Sequence, residues 1–200
     1  MSKTIQYYFG PQSPWAYLGH QRLIDMAHAR GAQIDIKPIE LGKVFSVSGG
    51  LPLSKRAPQR RAYRLADLAR WAAFLNVPLN VNPKFFPVSP DAAACLIIAA
   101  RTSLGAAAAL GLSGAIMHAL WAEERNIADA DTLAQIATSF GLDGRMLIKS
   151  SETAGVQQQY EHNTDEAISA SVFGSPWYMV DGESFWGQDR LDFVERALDR

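Results

Sequence analysis

Apolar residues cluster in the run Ile5-Gln6-Tyr7-Tyr8-Phe9, rich in the β-branched and aromatic types that favour a strand. After Gly10-Pro11 the spacing becomes helical and predicts a helix from Pro14 to about Arg30, closed by a turn at Gly31. Alternation returns in Gln33-Ile34-Asp35-Ile36-Lys37-Pro38-Ile39-Glu40-Leu41, which reads as a second strand. From Ser54 to about Gly141 the chain is Ala-, Leu- and Arg-rich with helical spacing, for instance Tyr63, Leu65, Ala66, Leu68, Ala69, Trp71, Ala72 and Leu75. Ala-rich segments follow, which Gly105, Gly111 and Gly114 are expected to break; Asp129 and Asp131 mark another helix start and Gly141 its stop. A helix from about Ser151 to Ala170 leads to Trp177-Tyr178-Met179-Val180 and Glu183-Ser184-Phe185-Trp186, joined by Asp181-Gly182 as a tight hairpin. A closing helix runs from Asp189 to Leu198.

Strand–helix–strand implies parallel pairing through a right-handed crossover. The whole order, a βαβ half, a helical excursion and a ββα half, predicts an α/β fold with a thioredoxin-like domain and an inserted all-helical domain. The expected boundaries are 1–42 plus 152–200 for the former and 43–151 for the latter.

The first strand and helix meet at Gly10-Pro11-Gln12-Ser13-Pro14-Trp15, which puts Ser13 at the N-cap and Pro14 at the first helical position. Free backbone N–H groups and the positive end of the helix dipole then face the Ser13 hydroxyl, a setting for phosphate, carboxylate or thiolate. An ordinary capping serine fits the same turn. A second such point is Phe173-Gly174-Ser175-Pro176, where Pro176 opens a strand and the X–Pro bond is cis or trans. If it is cis, the Ser175 backbone turns towards the ligand end of the sheet and can pair with an extended peptide.

Composition narrows the class. Two hundred residues with 48% apolar content bury a full core, and a net charge of −1 argues against an electrostatically driven nucleic-acid or anionic-membrane surface. No apolar stretch is long enough to span a bilayer and no signal-like segment opens the chain, so a cytoplasmic location is expected. Cys95 is the single cysteine, set in an apolar run, so dithiol redox chemistry at the Ser13 turn is disfavoured. His20, His28, His118 and His162 lack a metal-like spacing or a Ser-His-acid order, and no metal is expected. Lys55, Arg56, Arg60, Arg61, Arg64 and Arg70 form the one pronounced basic segment, read either as a solvated helix face or as a carboxylate site.

Three segments carry a family resemblance. They are Tyr8 to Leu18 with the Ser-Pro turn, Tyr63 to Ala72 with the following Val77-Pro78-Leu79, and Val172-Phe173-Gly174-Ser175-Pro176 with Phe185-Trp186-Gly187-Gln188-Asp189-Arg190-Leu191. In this order and spacing the chain resembles the 2-hydroxychromene-2-carboxylate isomerases and the related kappa-class glutathione transferases. The resemblance implies a glutathione-dependent enzyme of aromatic catabolism in which Ser13 stabilises the glutathione thiolate. In the isomerases that thiolate adds to the substrate, permits rotation in the ring-opened form and leaves again. By the same resemblance Trp15, Ser175 and Pro176 border the cofactor, and Gln188 and Asp189 take its γ-glutamyl end, with helix capping as the other reading of Asp189. Lys55, Arg56 and Arg60 are the candidates for an aromatic carboxylate substrate or the glycyl end of glutathione. Relatives suggest a homodimer. Conjugation of the transferase kind and non-catalytic binding are the alternatives. Gly49-Gly50 replaces the usual Gly-Asn, Phe45 stands where isomerases tend to carry a basic residue, and the arginine usual after Phe86-Pro87 is missing.

Overall fold

The computed structural model describes residues 2–200. Four strands form one sheet: β1 (Thr4–Phe9), β2 (Gln33–Pro38), β3 (Trp177–Val180) and β4 (Glu183–Trp186), in the order β2-β1-β3-β4. β1 runs parallel to β2 and antiparallel to β3, which pairs antiparallel with β4. Helix α1 (Pro14–Ala29) makes the crossover between β1 and β2, and α9 (Leu191–Leu198) closes the chain. Between β2 and β3 lie α2 (Leu41–Ser48), α3 (Pro58–Leu75), α4 (Asp91–Leu104), α5 (Ala106–Trp121), α6 (Ala130–Ser139), α7 (Gly144–Ser151) and α8 (Ala154–Ser169). This is the thioredoxin-like α/β fold with a helical insertion.

Period-two alternation sorts the sheet residues. Ile5, Tyr7 and Phe9 of β1 join Ile34, Ile36, Tyr178 and Val180 in a core shared with α1, α4, α5 and α9. Tyr8 points to the opposite face and packs with Ile39, Val44, Ala167, Val172 and Trp177, under α2 and α8. On that face the Tyr8 hydroxyl and the Lys37 ammonium both donate to Glu166, at 2.8 and 2.6 Å, so a buried lysine is neutralised where it sits.

Several local expectations need correction. The second strand ends at Pro38 rather than Leu41, because its only neighbour β1 ends at Phe9; Ile39 N–H makes the last bond to Phe9 O, and Leu41 begins α2. Gly105 does separate two helices, with φ +90°, but Gly111 and Gly114 lie inside α5. They are close-contact positions: a Cβ on Gly111 would fall on the Phe140 ring, and one on Gly114 would crowd His20 at 3.2 Å. The helix expected from about Ser151 to Ala170 is α8, and a short helix that was not expected, α7, precedes it. The closing helix starts as a 3-10 turn, Gln188–Arg190, and Asp189 makes no capping hydrogen bond. The hairpin is as expected, with φ of 50° at Asp181 and 83° at Gly182.

Candidate functional site

The site grows from the end of β1. Ser13 N–H donates to Gly10 O at 2.8 Å, closing the turn that brings Ser13 to the mouth of α1. Its φ and ψ of −77° and 119° are extended, as an N-cap requires, and Pro14 occupies the first helical position. Ser13 Oγ accepts from Ala16 N–H at 3.2 Å and donates to Ser175 O at 3.3 Å. The Ser175-Pro176 bond is cis.

Three chain segments are fastened together here. Gly10 N–H donates to Ser175 Oγ at 3.0 Å, joining the first turn to the proline loop. Gly187 N–H donates to Pro176 O at 3.0 Å, joining that loop to the segment before α9. Beneath them Arg22 of α1 donates to Gln188 Oε1 at 2.9 Å. Gln188 is 1% exposed, so its side chain braces the loop from behind.

These loops form one end of a half-open cavity of about 800 Å³ that continues between α2 and α3. Ser13, Trp15, Ser175, Gln188 and Asp189 all contribute to its wall, as do Arg56 and Arg60. Asp189 is exposed and pairs with Arg190 at 2.7 Å. Two predicted residues stay outside: Lys55 is exposed in the 3-10 turn Leu53–Lys55, and Pro176 is buried behind Ser175. Tyr17 is likewise a packing residue, with its hydroxyl donating to Pro78 O at 2.8 Å.

Arg64 of the basic segment, and Phe45 and Gly50, the two departures from the family pattern, also belong to the wall, and a Cβ on Gly50 would fall on the Phe45 ring. Trp71, Phe86 and Trp186, to which sequence reasoning had given no part in the site, complete it. Arg64 lies over Phe86 with its guanidinium 5.1 Å from the ring centroid, and burial, aided by the charge of Arg56, pushes its pKa down to about 10. Helical spacing places Arg60 and Arg64 one turn apart, a signal available in the sequence; the stacking on Phe86 was not. Cationic residues therefore line the α3 side and apolar ones the α2 side. Among the described residues no group of His, Cys, Asp and Glu side chains has the arrangement to hold a metal ion, and no helix is long and apolar enough to cross a membrane.

The geometry is that of a binding cleft at the carboxyl end of a parallel strand pair, with a hydroxyl and a helix N-terminus at its floor. Residues 4–199 match the DSBA-like thioredoxin domain. A 2-hydroxychromene-2-carboxylate isomerase from Sphingobium xenophagum is 33% identical over 199 residues, covering 99% of each chain. Kappa 2 glutathione S-transferase from Caenorhabditis elegans is 24% identical, over 98% of this chain and 92% of its own. A solved 2-hydroxychromene-2-carboxylate isomerase superposes with a TM-score of 0.83 at 26% identity, covering 98% of this chain and 95% of that one. By full-length similarity and by fold, the chain belongs to the 2-hydroxychromene-2-carboxylate isomerase family, within the DSBA-like thioredoxin domains.

Proposed function

We propose that the protein is a glutathione-dependent isomerase that interconverts 2-hydroxychromene-2-carboxylate-type compounds and the ring-opened benzalpyruvate, with Ser13 holding the glutathione sulfur. The observation that carries this reading is the bonding of the Ser13 hydroxyl. It accepts from Ala16 N–H, while its own proton rests on a distant acceptor, Ser175 O at 3.3 Å. A bond of that length is weak, so the proton can turn to an anion at the mouth of α1 without much loss. The helix dipole favours negative charge at the same point.

The donor set of the cavity fits glutathione. A hydroxyl at a helix N-terminus suits a thiolate, Arg56 and Arg60 suit carboxylates, and the Asp189 carboxylate suits an ammonium. When bound, glutathione supplies a sulfur nucleophile that is restored at the end of each turnover. The protein's part is to lower the thiol pKa through Ser13, to hold the tripeptide against the Ser175 backbone, and to offer the substrate an apolar wall. Arg22 and Gln188 act as positioning residues that fix the loop carrying Asp189.

Calorimetric titration with reduced glutathione, with the thiolate absorbance followed near neutral pH, tests this reading. Wild type should bind and lower the thiol pKa, and Ser13→Ala should bind without lowering it. No binding at millimolar glutathione would overturn the reading. Turnover of the chromene carboxylate then separates two reactions: an isomerase leaves glutathione unchanged in amount, whereas a transferase loses one equivalent per turnover.

A further inference from the structure

The arginines on the α3 side of the cavity are not equivalent. Arg60 is exposed, and Arg56 donates from Nε to Leu51 O at 2.8 Å. Arg64 is partly buried, its guanidinium 5.1 Å from the Phe86 centroid and 5.9 Å from that of Trp121, and among the described residues it has neither a hydrogen bond nor an ion pair. Asp67, three positions along α3, pairs with Arg70 instead, at 3.7 Å. Aromatic faces recompense a desolvated cation only in part, and they leave its in-plane N–H donors without acceptors. A guanidinium set over two rings, open to a cavity and without an acceptor for its N–H groups, is free to take a carboxylate through its planar fork.

The facing wall indicates what the rest of that ligand is. Phe45 lies over Gly50, where a Cβ would fall on its ring, and with Leu41 and Leu51 it lines the apolar side of the cavity. The two departures from the family pattern in α2 and its following loop are therefore one feature: the ring at 45 occupies the space a side chain at 50 would need.

We propose that Arg64 is a specificity-determining residue that receives the carboxylate of an aromatic substrate, whose ring lies against the wall made by Phe45 and Gly50. The assignment rests on the isomerase reading of the same cavity. A carboxylate could come from the substrate or from the glycyl end of glutathione. The aromatic surroundings of Arg64 favour a carboxylate attached to a ring, because a peptide terminus has no apolar body to bury there.

Calorimetric binding of 2-naphthoate and its neutral isostere 2-naphthamide, with and without glutathione, tests the assignment. Wild type should prefer the carboxylate by roughly 10- to 100-fold, the range of one charge-assisted contact. Arg64→Met should abolish that preference while glutathione affinity stays within about 2-fold, and Arg64→Lys should recover only part of it, since an ammonium lacks the planar fork. Phe45→Ala should weaken both probes by a similar factor, and unchanged affinities would remove the ring from that wall. A preference that survives Arg64→Met would overturn the assignment, as would a fall in glutathione affinity as large as the fall for naphthoate. Glutathione binding with no role for Arg64 would leave the isomerase reading intact. An Arg64-dependent preference without glutathione binding would leave a carboxylate site and remove the isomerase reading.

Discussion

A serine at the head of a helix is commonplace; one whose proton has only a 3.3 Å acceptor, beside a cavity lined by arginines, is not. On the proposed mechanism Ser13→Ala should lower turnover by roughly 10²–10³, as loss of one anion-stabilising donor does elsewhere, with about 1 kcal/mol of stability lost through the missing cap. Steady-state kinetics and thermal unfolding on the same preparations separate the two effects, and unchanged turnover would exclude Ser13 from the chemistry. Another single residue governs acid stability. His20 is 3% exposed, its Nε2–H donating to Leu110 O at 2.9 Å, and burial pulls its pKa down from 6.5 to about 4. The unfolded chain therefore takes up a proton as pH falls through 6.5 that the native state refuses until about 4. Stability is retained above that window and lost on descending through it, by on the order of 3 kcal/mol. Urea unfolding between pH 7 and pH 4.5 should show the loss, and His20→Gln should remove most of it. Of the site, Ser13 was legible because its signal is local. Arg64 was legible only as one member of a basic segment; what sets it apart, like the Phe45–Gly50 contact, lies in which distant rings come to rest beside it.

At the level of elements, strands and caps followed from neighbours in the chain: Ser13 caps α1, Asp129 caps α6 through Thr132 N–H at 2.8 Å, and Asp181-Gly182 makes the hairpin. Glycines inside helices were misread because the sequence shows the missing side chain but not the neighbour that needs its space. That neighbour decides the outcome of substitution. A Cβ on Gly144 would fall on the carbonyl oxygen of Ala134, backbone that cannot swing aside, so Gly144→Ala should destabilise by about 1–3 kcal/mol. The Gly111 Cβ meets the tip of Phe140, a ring already 44% exposed that can turn outward. There the helix-propensity gain of up to about 1 kcal/mol offsets the displacement, and Gly111→Ala should lie within about 1 kcal/mol of wild type. Chemical denaturation of both variants checks the contrast, and equal losses would contradict it.

For the molecule as a whole, the boundary drawn at 42 and 152 describes chain order better than packing. Residues of β1, β2 and α1 share one continuous apolar core with α4, α5, α6 and α7. The sheet and the inserted helices should therefore unfold in a single transition, with equal calorimetric and van't Hoff enthalpies; two resolved peaks in scanning calorimetry would show otherwise. That same core encloses Cys95, 3% exposed in α4, where burial pushes the thiol pKa up and leaves little of the reactive thiolate. Among the described residues none that lines the cleft carries a sulfur, so on the proposed reading the oxidisable sulfur beside Ser13 is the one glutathione would bring. Under peroxide stress such a protein has no thiol of its own at the cleft to form a sulfenic acid or a disulfide, and if glutathione is the thiol it binds, its output would follow the reduced fraction of the glutathione pool. Recovery would need no repair enzyme acting on that cleft, only the return of the pool.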